Sequence, residues 1–216
     1  MKHMSTIKAA NGTEMKAPTR RAIAKQQTRA KVLAAARALF SEAGYEGATI
    51  RDIATAAGMS TGAVFANFTD KSDLFREIML SDMAALAEEM REAGAKGRTV
   101  EDALLRTFVS GYAFYQSHMP LARAAFSVGW SPDNGPVLRR APVVQELADL
   151  IVDQLKLGVE RGELVREAEV QLRGQMLFQA YLANYPQAIF EGWTLDALRD
   201  QARDQIRVIL AGARKT

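Results

Sequence analysis

With 216 residues, of which 48% are hydrophobic and 25% charged, the chain has enough apolar content for a real core in one or two domains. It has no cysteine, which excludes disulfides, thiol catalysis and thiolate metal sites, and its two histidines, His3 and His118, are too few for an ordinary transition-metal centre. The net charge of +3 is unevenly spread, since residues 1–71 hold 11 Lys and Arg against 5 Asp and Glu, while residues 72–216 hold 17 against 20. A basic excess confined to the N-terminal third points to a polyanionic partner there.

Residues 1–19 read as a flexible polar extension, which either adds to that basic surface or touches nothing. The block Arg20, Arg21, Lys25, Arg29, Lys31 then leads into a first helix, about 20–43. Val32, Leu33, Ala36, Leu39, Phe40 and Ala43 form its buried stripe, and Gly44 supplies the stop. Thr49 is the expected N-cap of a second helix, Ile50 to Ala57, with Asp52 completing an aspartate variant of the capping box. Gly58 permits a turn, and Ser60 caps a third helix from about Thr61 to Asn67. The stretch "TDKSD" opens a fourth helix, about 71–93, which fades into "GAKGRT".

The rest is helical, giving an all-α chain of about nine helices. A fifth is expected over 99–117, a sixth over 120–129 ending at "SPDNGP", and a seventh over 137–161 ending at Gly162. The eighth starts near 167 and carries Leu172, Met176, Leu177, Phe178, Tyr181, Leu182 and Tyr185 around most of its circumference, until Pro186 interrupts it. The ninth, about 194–212, carries Leu195, Leu198, Ile206, Ile209 and Leu210. No apolar run approaches the roughly 20 residues of a membrane span, and the N-terminus lacks the apolar stretch of a signal peptide. A cytoplasmic chain without a membrane partner is expected.

The short second and third helices carry the functional signal. Ala54 is small where two helices must touch at a steep angle, Gly58 allows the turn, and Val64 plugs the core from the third helix. That spacing suits a helix-turn-helix; an ordinary helical hairpin is the alternative. The exposed face of the third helix would offer Thr61, Gly62, Ala63, Phe65 and Asn67, small or flat side chains that allow close approach to base edges in the major groove.

On these residues, "TRAKVLAAARALFSEAGYEGATIRDIATAAGMSTGAVFANFTDKSDLF" (28–75) resembles the DNA-binding region of the tetracycline-repressor (TetR) family of transcriptional regulators. The resemblance implies a homodimer whose first three helices bind double-stranded operator DNA, whose middle helices enclose a small-molecule effector, and whose last two helices form a dimeric bundle. It implies three parts: an extension over 1–19, a DNA-binding domain over 20–70, and a ligand-binding and dimerisation domain over 71–216. Carried over by position, Thr49, Thr61, Phe65, Asn67 and Lys71 face DNA, with Arg29, Gly62 and Ala63 beside them. The family commonly has tyrosine at Phe65 and histidine or tyrosine at Asn67. Phe65 lacks the tyrosine's phosphate-bonding hydroxyl, though its ring can still meet a thymine methyl, and Asn67 can donate to phosphate or pair with adenine.

Phe108, Tyr112, Tyr115, His118, Phe126, Trp130, Met176 and Tyr181 are candidates to line an effector cavity; the alternative for each is plain core, and for His118 a surface role. Such a lining suits an apolar or aromatic ligand. Helix eight is apolar on more than one face, which a second interface explains, with Leu177, Tyr185, Leu198, Ile206 and Ile209 as dimer residues; packing within one chain is the other reading. No nucleophile-elbow motif, phosphate loop or metal-ligand spacing is present, so no enzyme activity, cofactor or metal is expected. A ligand-independent DNA-binding or adaptor protein with a solid helical core is the rival function.

Overall fold

Thr19 opens the first helix: its hydroxyl accepts from the Ala22 amide at 3.2 Å, satisfying one of the donors that a helix N-terminus leaves free. The structure, a computed structural model, describes residues 19–129 and 140–215. The expected extension, the turn at "SPDNGP" and Trp130 lie outside the described residues.

The helices are α1 (Arg20–Gly47), α2 (Ile50–Ala56), α3 (Thr61–Phe65), α4 (Lys71–Ala95), α5 (Val100–Ser117), α6 (Met119–Gly129), α7 (Pro142–Glu160), α8 (Val170–Ala183), α9 (Tyr185–Phe190) and α10 (Leu195–Ile209). Among the described residues there is no strand, only an isolated bridge between Leu164 and Arg214. No helix of these is long and apolar enough to cross a membrane.

Most expected boundaries fall within a few residues of these limits, and the departures have local causes. The stop expected at Gly44 is a break inside α1, where φ is 74° and the helix resumes to Gly47. The eighth helix begins at Val170 instead of 167, because Glu169 sits in the left-handed region at φ 47°. Pro186 interrupts it as expected, dividing α8 from α9.

Two apolar clusters organise the chain. The first joins Val32, Ala36 and Phe40 of α1, Ile53 and Ala54 of α2, Val64 of α3, and Leu74, Phe75, Ile78 and Met79 of α4, with Leu121 and Ala124 of α6 closing it. The second joins Leu86 and Met90, further along α4, to α5, α7, α8 and α10 through Leu104, Phe108, Ile151, Leu155, Leu177, Leu198 and Ile206. α4 therefore serves both.

This packing corrects the expected dimer residues. Leu177 and Leu198 are 0% exposed, Ile206 2% and Tyr185 7%, all inside their own chain. Ile209 is half-buried against the same cluster. The reason is that α8 packs between α7 and α10, and α10 also lies on α5, so these side chains face inward. The outward stripe of α8 is instead Leu172, Gln175, Met176, Gln179 and Leu182, all exposed.

Candidate functional site

The second helix is held at its start by a complete capping box. The Thr49 hydroxyl accepts from the Asp52 amide at 3.2 Å and donates to the Asp52 carboxylate at 2.6 Å, and that carboxylate accepts from the Thr49 amide at 3.3 Å. A seven-residue helix cannot stand alone in water, so the cap matters here. Thr49→Ala should lower unfolding stability by about 1 kcal/mol in urea titration, the ordinary loss for such a cap.

Gly58 then takes φ 67°, a left-handed value that side chains resist, while its amide and that of Met59 return to the Thr55 and Ala54 carbonyls at 3.0 and 2.9 Å. Ser60 accepts from the Ala63 amide at 3.2 Å and starts α3. Within α3, Val64 is fully buried while Phe65 is 55% exposed. Thr61 and Gly62 are exposed and Ala63 half-buried. Thr61, Gly62 and Phe65 are exposed as expected: one apolar residue anchors the helix and the next presents a ring outward.

Other candidates at this face are already engaged. Asn67 lies beyond the end of α3 and is half-buried; its Nδ2 donates back to the Ala63 carbonyl at 2.9 Å. The Lys71 ammonium donates to the Tyr45 carbonyl at 2.8 Å and sits 4.3 Å from the centroid of the Tyr45 ring. It is thus a staple onto the last turn of α1, beyond the break at Gly44, where Glu46 Oε2 also lies 4.0 Å from the ammonium. Arg29 is no free cation either: it pairs with Glu77 and donates to the Asn67 carbonyl at 2.7 Å. The exposed positive charge on α1 comes from Arg20, Arg21, Lys25 and Lys31 instead. Around the staple, burial raises the Tyr45 phenol above its usual pKa, with Glu46 and Asp70 adding to the effect. Asp70, the N-cap of α4, is held below the usual carboxylate range by hydrogen bonds from the Ser72 hydroxyl and then the Asp73 amide.

The expected cavity residues divide into three groups. Phe108, Tyr112 and Tyr181 are at most 1% exposed; the Tyr181 ring stacks on Tyr112 and meets Phe108 at a tilt, its centroid 5.1 Å from each. They are core, because the Tyr181 ring of α8 reaches α5 at Gly111, where any added side chain would clash with it, and the three rings fill the space between the two helices. His118 and Met176 are exposed, which corrects their assignment to a cavity. His118 ends α5 with its Nδ1 3.0 Å from the Phe114 carbonyl, and Met176 points away from the chain's own core. Tyr115 and Phe126 are half-buried, and Phe126 meets the exposed Phe190 edge-on at 5.7 Å. Burial, then the charge of Asp82, pushes the Tyr115 phenol up to about 12.

Sequence reasoning missed a buried polar network beside these rings. Asn184 is 3% exposed; its Nδ2 donates to the Tyr112 hydroxyl at 2.9 Å and to Gln205 Oε1 at 2.8 Å, while Gln205 Nε2 returns to Asn184 Oδ1 at 3.0 Å. Every polar atom of that amide is satisfied, so the network fixes how α5, the α8–α9 junction and α10 meet. An asparagine just before a tyrosine-proline pair was the one local signal, and it reads equally well as a turn residue.

Residues 32–78 match the family described as bacterial regulatory proteins, tetR family. The transcriptional regulator UidR of Escherichia coli is 32% identical over 154 residues, 70% of this chain and 76% of UidR. The chain belongs to the tetR family. A second member, the transcriptional repressor AcnR of Corynebacterium glutamicum, is 45% identical over 67 residues, 31% of this chain and 36% of AcnR, so that match spans about a third of the relative's length. The tetR fold extends further than the sequence likeness: FadR of Bacillus subtilis, solved in complex with stearoyl-CoA, superposes with a TM-score of 0.69 at 17% identity, over 86% of this chain and 99% of that one.

Proposed function

We propose that the chain is a dimeric transcriptional repressor that reads operator DNA through α3 and is released by a small apolar or aromatic effector. The observation that carries this reading is α3 itself: a capped helix with Val64 buried, and with Thr61, Gly62 and the Phe65 ring exposed side by side. In the groove these would meet base edges, with the Phe65 ring suited to a thymine methyl. Thr49, Asn67 and Lys71 would lie toward the phosphates, positioning the protein without reading sequence. Residues 20–70 would form the DNA-binding unit, completed by the first turns of α4, and the rest the sensor and dimer unit.

For the effector, the half-buried Tyr115 and Phe126 with the exposed Phe190 offer apolar surface where α5, α6 and α9 converge. The likeness in fold to a regulator that holds stearoyl-CoA supports a ligand with a long apolar portion. For the dimer, the outward stripe of α8 replaces the inward residues, since Leu172 and Met176 are 52% and 47% exposed. A two-fold pair of these stripes is self-complementary and sets two recognition helices toward two half-sites.

Recovery of bound fragments from a random pool of duplex DNA, followed by a screen for apolar molecules that release them, tests the proposal. It expects an inverted repeat among the recovered fragments; a pool without enrichment would refute it. One residue has its own expected result. Lys71→Ala should weaken specific and non-specific duplexes alike and lower the salt slope of binding by about one, as one fewer counterion is released. Anisotropy titrations across salt concentrations measure this.

A further inference from the structure

All three guanidinium nitrogens of Arg29 are engaged within the DNA-binding unit. Nε and Nη2 hold the Glu77 carboxylate of α4 in a forked pair, with Nε 3.1 Å from Oε1. Nη1 donates to the Asn67 carbonyl at 2.7 Å, and the guanidinium carbon lies 4.3 Å from the centroid of the Phe68 ring. Asn67 and Phe68 follow directly on α3, whose C-cap is Ala66. A cation suits the negative end of a helix, where backbone carbonyls lack partners. A planar fork grips the carboxylate through two nitrogens and turns the third to the carbonyl; a lysine's point-like ammonium in its place has no such bidentate grip.

α3 needs such a hold. It has five residues and buries one of its own side chains, Val64, so packing alone leaves its rotation weakly determined. Arg37 joins α1 to α4 a second time, donating to Asp82 at 2.8 Å, but of these two arginines Arg29 is the one that also grips the end of α3. From this geometry we infer that Arg29 is a positioning residue for the DNA-reading helix: it aims α3 from α4, with Glu77 fixing the guanidinium. The arginine thereby sets base discrimination without touching DNA. This rests on the proposal that α3 reads DNA.

The test measures, for the full chain, affinity for the duplex recovered from the random pool and for a scrambled duplex of equal length, with thermal stability and amide hydrogen exchange alongside. In Arg29→Gln the ratio of the two affinities should fall about tenfold, the effect of one charge-assisted hydrogen bond, and exchange should quicken at residues 61–68 but not in α5 or α7. Arg29→Lys should restore stability more than discrimination. The exchanged pair Arg29→Glu with Glu77→Arg rebuilds the α1–α4 bridge but leaves Asn67 uncapped, so it should regain the melting temperature and not the discrimination. If any variant is too unstable to assay, Glu77→Gln, which keeps Arg29, should still lower the ratio. Wild-type discrimination in Arg29→Gln, or its full recovery in the exchanged pair, would overturn the inference. Failure of the wild-type chain to discriminate would instead overturn the DNA-binding proposal beneath it.

Discussion

Phe40→Ala should cost about 3–5 kcal/mol of stability, because the ring is wholly buried and the space left by such a truncation closes only in part. The reason lies in a three-ring cluster. Phe40 meets Phe75 at 5.5 Å and Tyr45 at 5.6 Å, and those two meet each other at 4.9 Å. Phe40 belongs to α1, Phe75 to α4 and Tyr45 to the segment beyond the break at Gly44, so one ring ties three segments. Tyr45 also supplies the carbonyl and the ring that hold Lys71. Removing Phe40 should therefore loosen both the entry to α2 and the start of α4. With a total stability of about 5–15 kcal/mol typical of a domain, much of the cooperativity of residues 32–78 would go. Amide exchange should show residues 32–78 losing protection while α5 and α7 keep theirs, and DNA binding should disappear. A loss below about 1 kcal/mol would mean that the cluster is not the structural centre of this unit.

The second large effect separates two neighbours in sequence. Leu177→Ala should lower stability by about 2–5 kcal/mol, because Leu177 is fully buried within its own chain. Met176→Ala, one position earlier and 47% exposed, should change the stability of the isolated subunit by less than about 0.5 kcal/mol. Met176→Glu should nonetheless favour the monomer in sedimentation, if α8 presents its outer stripe to a second copy. Chemical denaturation at low concentration isolates the subunit contribution from that of assembly. Equal losses for the two alanine variants would contradict the packing of α8 between α7 and α10.

These pairs mark where sequence was legible and where it was not. The Thr49–Asp52 box, Gly58, the Ser60 cap and the alternation of buried Val64 with exposed Phe65 were all readable, because each depends on neighbours within a few positions. The helices of the second unit were readable for the same reason. The roles of Arg29 and Glu77 were not: the two are 48 positions apart, and an arginine in a basic stretch looks the same whether it faces a phosphate or a carboxylate. Leu177 and Met176 are both apolar on a helix that is apolar nearly all round. Only the positions of α7 and α10 decide which of them faces inward. The tyrosines of the middle suited a cavity lining or a core, and the reach of the Tyr181 ring across to Gly111 of α5 made Phe108, Tyr112 and Tyr181 core.

The central claim, that α3 reads base edges through Thr61 and Phe65, is tested most directly by the base preference of Phe65→Ala. Affinities would be measured against a panel of single-base-pair variants of the duplex recovered from the random pool. Because the ring is largely exposed, its removal should leave thermal stability unchanged and erase preference at one symmetric position in each half-site, by roughly 1–3 kcal/mol per base contact. A uniform loss across all duplexes, with every base preference kept, would contradict the account.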